Sequence, residues 1–326
     1  VIIPIVCLYL LQCLLVPKYA SDIKEGAMIK EYYNSEKNHD VLILGDCEVY
    51  ENISTVTMWE NYGISSYIRG SAEQLIWQSY YLLEDTLKYE KPQVVIVNVL
   101  AMTESDAKNE AYNRMTLDGM KLSKYKIASI KESMTEEENM TSYIFPLLRY
   151  HSRWSELSSE DFRYMWKTPS VTTNGYLMQK GVRPVKTIPK AAPLANYTFS
   201  DRNMEYLDKI YSLCKDNGIN LVLMKAPSVY PHWYDEWDKQ VSDYAYEHGI
   251  LYLNTINEAG NIGIDYTTDT FDYGQHLNVE GAEKLSLYLG EQLVKNFRLT
   301  DHRQDESYKN AWQSIVNKYY EEKQGD

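Results

Sequence analysis

The sequence predicts an α/β protein in three layers, α/β/α, built on a five-stranded parallel sheet, with a largely helical insertion and an N-terminal membrane segment. Three observations predict it. Short runs of aliphatic and β-branched residues, without polar alternation, are separated by amphipathic helical stretches, the pattern of a parallel sheet covered on both faces. Residues 102–199 carry no strand-like run, and a structureless loop of that length does not fit a compact domain. An uncharged apolar run opens the chain. Composition agrees: 44% hydrophobic and 24% charged residues are ordinary globular usage, which excludes disorder and a polytopic membrane protein. Against 46 Asp+Glu, 33 Lys+Arg leave a net charge of −13, so no nucleic-acid partner is expected.

Residues Val1 to Val16, VIIPIVCLYLLQCLLV, end at Pro17 and Lys18 and are too few for the ~20 residues that cross a bilayer. Because the run begins at Val rather than Met, 1–17 reads as the C-terminal part of a membrane segment, with a buried core helix and a signal-peptide apolar region as alternatives. A linker, 18–39, follows. The first strand is Asp40 to Leu44, the second Ser65 to Ile68, and the third and strongest Gln93 to Val99, which together with Ser71 to Glu90 as a helix make a first half, 40–101. Ser71 and Gln74 are spaced as a capping box for that helix. The insertion, 102–199, divides into helical pieces at 106–134 and 136–154 and a Pro- and Lys-rich tail. The second half, 200–298, holds strands at Asn220 to Met224 and Ile250 to Leu253 and helices at 202–217, 234–247 and 279–297; the remainder, 299–326, is a terminal helix. Ligands of open α/β sheets lie beyond the carboxyl ends of the strands, so an insertion leaving the third strand overhangs that position.

Cys7 and Cys13 lie in the apolar run, and Cys214 follows the apolar face of a helix, where packing explains it. No disulfide framework or zinc spacing is present, nor a Gly-x-Gly-x-x-Gly, a phosphate-binding loop or a His-Glu-x-x-His, so neither metal nor cofactor is expected. Cys47 stands apart. The first strand runs into Gly45-Asp46-Cys47-Glu48, where a helix start would offer free N–H groups and lower the thiol pKa. The alternative is a small residue filling a strand-to-helix turn. Near the other end, Phe271-Asp272-Tyr273-Gly274-Gln275-His276-Leu277-Asn278 precedes a helix and supplies a base and an orienting carboxylate together.

Gly45-Asp46-Cys47 after the first strand, Gly70 after the second, Asn98 at the third, and Asp272 with His276-Leu277-Asn278 resemble the blocks of the SGNH/GDSL hydrolase superfamily, in the same order, over roughly residues 40–100 and 200–298. The apolar start, the insertion and Gly281-Ala282 further resemble its surface-associated branch, with alginate-type polysaccharide O-acetyltransferases and the lipoteichoic-acid D-alanylation protein. The resemblance implies a flavodoxin-like sheet and acyl transfer: Cys47 as nucleophile, His276 as base, Asp272 as its orienter, and the N–H groups of Cys47 and Gly70 with the Asn98 side chain as oxyanion donors. Two departures stand out. Cys47 replaces the usual Ser, and Asp272 is four residues before His276 rather than three, so that a one-residue bulge, Asp269 or a backbone carbonyl must orient the ring.

Arg149, His151, Arg153 and Trp154 in the insertion, and His232 and Trp233 after the fourth strand, are candidates for binding an anionic or sugar acceptor; a solvated helix end and simple packing are their alternatives. The leading expectation is a single-pass, membrane-anchored acyltransferase or esterase outside the cytoplasm, acting through an acyl-cysteine on a cell-surface glycan, with a membrane-bound acyl-donor protein as a possible partner. A catalytically inactive SGNH-like glycan-binding or scaffold module is the competing reading, and an intracellular thioesterase a third.

Overall fold

The five aliphatic runs become five parallel strands, Val41–Gly45 (β1), Ser66–Gly70 (β2), Val94–Asn98 (β3), Asn220–Lys225 (β4) and Leu251–Asn254 (β5), in a computed structural model that describes residues 2–188 and 190–325. Their order across the sheet is β2-β1-β3-β4-β5, that of a flavodoxin-like doubly wound sheet. The order reverses between β1 and β3, which places the ligand crevice where the chain leaves those two strands. Gly45 pairs with Gly70, Leu44 with Val97 and Asn98 with Met224, so the residues after each strand meet at one edge.

Both faces of the sheet are buried, which is why the strands show no polar alternation. Leu42, Leu44, Val95, Val97, Leu221 and Leu223 face one core, against Trp77, Leu82, Leu207, Ile210 and Val241 of the helices Ile76–Thr86, Asp201–Asp216 and Asp235–His248. Cys214 belongs to this core, as its position on the helix predicts. Val41, Ile43, Val94, Ile96, Val222 and Met224 face the other, against Thr55–Tyr62, Val279–Asn296 and the terminal helix Glu306–Gln324. Trp312 of the terminal helix stacks on Trp59 with ring centroids 4.9 Å apart and so docks that helix on the domain.

Two helical expectations are revised. The helix after β2 starts at Ile76, because Glu73 adopts φ +54° and turns the chain first. Gln78, not Gln74, then accepts from the N-cap backbone, with Leu75 N to Gln78 Oε1 at 3.1 Å. The insertion is divided more finely, into Glu110–Leu117, Lys124–Ser133, Met140–Ile144 and Leu147–Tyr150. Gly119 lies against the helix Glu25–Glu31, where a Cβ would stand 2.7 Å from Ile29 Cβ, and Pro146 separates the last two pieces. The insertion also covers the sheet edge: Ile68 N of β2 donates to Asn174 O at 3.0 Å, which blocks further strand addition there.

The membrane segment is a correction. The apolar run forms a helix over Ile2–Leu15, 14 residues long, or about 21 Å at 1.5 Å per residue against a hydrocarbon core of about 30 Å. Among the described residues no helix is long and apolar enough to cross a membrane. The expectation of a single-pass membrane protein, and the extracytoplasmic placement that rested on it, are withdrawn on this finding.

Candidate active site

At the end of β1, Gly45 leaves no room for a side chain, since a Cβ would stand 2.8 Å from Asn98 Cβ. Asp46 then caps the one-turn helix Cys47–Tyr50 by accepting from Glu48 N at 3.0 Å. Cys47 is the first residue of that helix and half-buried. The expected lowering of its pKa does not occur. Burial pushes the Cys47 thiol well above its ordinary value, and the carboxylates of Asp46, Glu51, Glu48 and Glu73 add to the shift. One helical turn provides little dipole, and this one is surrounded by acids.

The Asp272–His276 loop accommodates the four-residue spacing. Tyr273 and Gly274 take consecutive positive φ values of +67° and +92°, a left-handed bulge that absorbs the extra residue between Asp272 and His276. A Cβ at Gly274 would stand 2.3 Å from a methyl of Val229, so only glycine fits. Asp272 Oδ2 lies 2.6 Å from His276 Nδ1, and Asp272 Oδ1 accepts from His276 N at 2.8 Å. Thr270 closes the loop by donating to His276 O at 2.8 Å and accepting from Gly274 N at 2.7 Å. Asp269, the alternative orienter, is paired with Lys284 at 2.6 Å instead.

Beneath Cys47 lies a buried polar cluster that the sequence reading missed. Lys225 Nζ, fully buried at the end of β4, donates to Glu48 Oε1 and Oε2 at 2.6 and 2.9 Å, and to Ala226 O and Ser228 Oγ at 2.9 Å each. Asn98 joins it. Its Nδ2 donates to Asp46 Oδ1 at 3.2 Å and to Glu48 Oε2 at 3.0 Å, and its Oδ1 accepts from Ala226 N at 3.3 Å. Both amide hydrogens are thereby engaged by carboxylates, so Asn98 as placed is not free to serve an oxyanion. A lone Lys closing the apolar run NLVLMK was the available signal for this cluster, because a buried ammonium requires a buried partner.

Glu51 was also missed. Its Oε2 stands 3.2 Å from the same His276 Nδ1 that Asp272 holds. Burial opposes a charge on His276, but the Asp272 hydrogen bond and the charges of Glu51, Asp272 and Glu48 together raise its pKa from 6.5 to about 9. Burial raises Glu51 from 4.5 to about 7, although the His276 charge and the Gln179 hydrogen bond act against it. Both groups bind their proton more tightly in the fold than in the unfolded chain. The stability they contribute is therefore complete below their unfolded values and is lost as pH rises, from about 4.5 to 7 for Glu51 and from 6.5 to about 9 for His276. At about 1.4 kcal/mol per unit, the loss amounts to several kcal/mol. Urea midpoints are expected to fall steadily between pH 5 and 9, and the part of the fall above pH 7 to be smaller in His276→Asn. A wild-type midpoint that is constant or rises over that range would contradict this account.

The remaining candidates are distributed differently. Trp233 is buried, its ring 5.8 Å from Lys225 Nζ and its Nε1 donating to Asp238 Oδ1 at 3.3 Å, whereas His232 is exposed against Tyr234. Both follow β4 at the sheet's carboxyl edge. The Arg149–Trp154 segment engages the N-terminal helix: Arg153 donates to Leu15 O at 2.6 Å and pairs with Asp161 at 3.1 Å, and Arg149 pairs with Glu110 at 3.3 Å. His151 Nδ1 lies 3.0 Å from Leu148 O, and Trp154 is exposed. None of these four side chains bonds to Cys47, Asp272 or His276. The insertion reaches the site by other residues. Lys108 pairs with Glu73 at 2.7 Å, and Arg183 N and Val185 N donate to Thr270 O and Tyr266 O at 2.9 Å each.

No family model matches the chain, and no curated protein does. Among solved structures it is similar to a candidate acylhydrolase of Bacteroides fragilis, with a TM-score of 0.40 and 11% identity over 86% of this chain and 99% of that one. It is also similar to a candidate lipolytic protein of the G-D-S-L family from Desulfitobacterium hafniense, with a TM-score of 0.38 and 13% identity over 78% and 100% of the two chains. A GDSL-like lipase of Bacteroides thetaiotaomicron gives a TM-score of 0.40 and 11% identity over 83% and 100%. These neighbours are GDSL-type and acylhydrolase proteins. Likeness at this level leaves the chemistry to the chain's own residues.

Proposed function

We propose that the chain is an SGNH-like acyl-transfer enzyme, an ester hydrolase or acyltransferase, in which Cys47 carries the acyl group. The observation that most supports this is the 2.6 Å contact of Asp272 with His276 Nδ1, at the carboxyl edge where β1 delivers Cys47. Cys47 Sγ attacks the acyl carbonyl carbon while its proton passes to His276 Nε2. The resulting oxyanion faces the backbone N–H groups of Cys47 and Gly70, each worth about 3 kcal/mol where aligned. Collapse breaks the ester C–O bond, and the leaving alkoxide takes the proton from His276. Water or an acceptor hydroxyl then attacks the thioester, gives its proton to His276, and the departing sulfur recovers it. A glycan hydroxyl as acceptor belongs to the same proposal and draws support from exposed Tyr230, His232 and Tyr273 beside the base loop.

The base must be neutral to accept a proton. With His276 titrating near 9, about one molecule in a hundred is competent at pH 7. Turnover should therefore rise nearly tenfold per pH unit from 7 and level off near 9. Two observations favour the competing reading of an inactive glycan-binding or scaffold module: the Cys47 thiol is held neutral among acids, and Asn98 is engaged elsewhere.

Intact-mass analysis after incubation with p-nitrophenyl acetate at pH 9 separates the two readings. Acyl transfer predicts a single acetyl adduct in wild type, absent in Cys47→Ala and slow to form in His276→Ala. No adduct and no ester turnover at that pH would sink the enzyme reading and leave the binding module.

A further inference from the structure

We infer that Glu51 is a second carboxylate acting on His276, a positioning residue that favours the charged, base-inactive imidazolium and so sets the pH at which the site works. The working-pH part rests on the acyl-transfer reading above. Glu51 lies one helical turn beyond Cys47, its N–H donating to Cys47 O at 3.1 Å, so nucleophile and carboxylate rise from the same side of one short helix. Glu51 is held there rigidly: Gln179 Nε2 donates to its Oε1 at 2.7 Å, and Gln179 O accepts from Val279 N at 2.8 Å. The next residue, Asn52, accepts from Leu277 N at 2.7 Å, so residues 51 and 52 clamp the base loop to the nucleophile helix at two successive positions.

At His276 two carboxylates meet one nitrogen. Asp272 Oδ2 holds the hydrogen bond at 2.6 Å, while Glu51 Oε2 approaches at 3.2 Å as an ion pair. A neutral imidazole has one Nδ1–H, and Asp272 already receives it. Glu51 can therefore gain appreciably only when the ring carries a net positive charge, which is the form unable to accept the Cys47 proton. Glu51 is only 7% exposed, so water screens the pair poorly. The other charged groups around this point are Asp46 and Glu48 from the nucleophile turn, Glu48 being paired with Lys225 of β4, and Glu25, which acts on Glu51 from the helix Glu25–Glu31. Asp46 and Glu48 also favour the charged ring, but Glu48 is compensated by Lys225, whereas among the described residues the one cation paired with Glu51 is His276 itself.

The test is a histidine-ring NMR titration from pH 5.5 to 10.5 on wild type and Glu51→Gln, with His276→Gln to assign the resonance. Removing the carboxylate charge while keeping an isosteric partner for Gln179 should lower the His276 midpoint by about one to two units, and the pH midpoint of Cys47 acetylation should move with it. Glu51→Asp, which withdraws the charge by one methylene, should give an intermediate midpoint and serves if Glu51→Gln does not fold. An unmoved His276 midpoint in a folded variant overturns the inference. A moved midpoint with no acetylation in any variant at any pH removes the acyl-transfer reading and the working-pH role with it, while the electrostatic hold of Glu51 on His276 stands.

Discussion

Asp272→Asn should slow acetylation of Cys47 by about 10³-fold or more at pH 8.5, with little change in the concentration of ester that half-saturates the reaction. The carboxylate does two things at once: Oδ2 accepts from His276 Nδ1 and Oδ1 accepts from the His276 backbone N–H, so it fixes both the ring and the loop carrying it. An amide in that place can present its N–H₂ to Nδ1, which drives the ring proton onto Nε2, the nitrogen that must accept from Cys47. A carboxylate-to-amide change in a Ser-His-Asp triad costs about 10⁴ in kcat for the same reason. Glu51 sharpens the measurement, because among the described residues it is the one other acid at ion-pair distance from Nδ1. Should it substitute for Asp272, the loss would shrink to about tenfold, and only Asp272→Asn combined with Glu51→Gln would show the full effect. A single-variant loss under tenfold, unchanged in the double variant, would mean that neither acid orients the base.

Local pattern carried the sheet and two segments of the candidate site. All five strands lie within a residue or two of where aliphatic runs place them, because strands buried on both faces cannot conceal their composition behind polar alternation. The Cys47 turn and the Asp272–His276 loop were readable for a similar reason, since each is a short contiguous segment whose geometry is set by its own residues. The bulge was within reach of the sequence too, as a Tyr-Gly pair between Asp272 and His276. What failed depended on distant partners. Asn98 and Lys225 take their meaning from Glu48, and nothing within either strand names it. The Arg149–Trp154 segment is chemically suited to an anion, but its position follows from the N-terminal helix that it packs against. The thiol expectation failed on magnitude: a helix start was read correctly, while burial of the thiol, joined by carboxylates from residues 46, 51, 48 and 73, outweighs a single turn.

The largest effect on stability should come from Lys225→Met. Methionine matches the length and volume of the lysine stem, so packing against Trp233 is largely kept and the change isolates the charge. What remains is a Glu48 carboxylate in the protein interior, retaining Ser228 and Asn98 as donors at 2.7 and 3.0 Å but with Asp46 nearby and, among the described residues, no other cation at ion-pair distance. Breaking a buried pair from one side typically costs 3–5 kcal/mol, because the surviving charge is neither solvated nor paired. At this chain length that corresponds to a fall in Tm of roughly 4–8 °C. The loss should be greater at pH 8 than at pH 5.5, since an unpaired buried carboxylate is relieved by taking up a proton where protons are available. Glu48→Gln in the Lys225→Met background should recover one to several kcal/mol, as the amide keeps the contacts of Ser228 and Asn98 without the charge. Additive losses in the double variant would instead show that the two side chains stabilise the fold independently and that their ion pair contributes little. Recovery of stability without recovery of Cys47 acetylation would assign the pair a second part, that of holding the Asp46–Cys47 turn in register with Asn98 beneath the nucleophile.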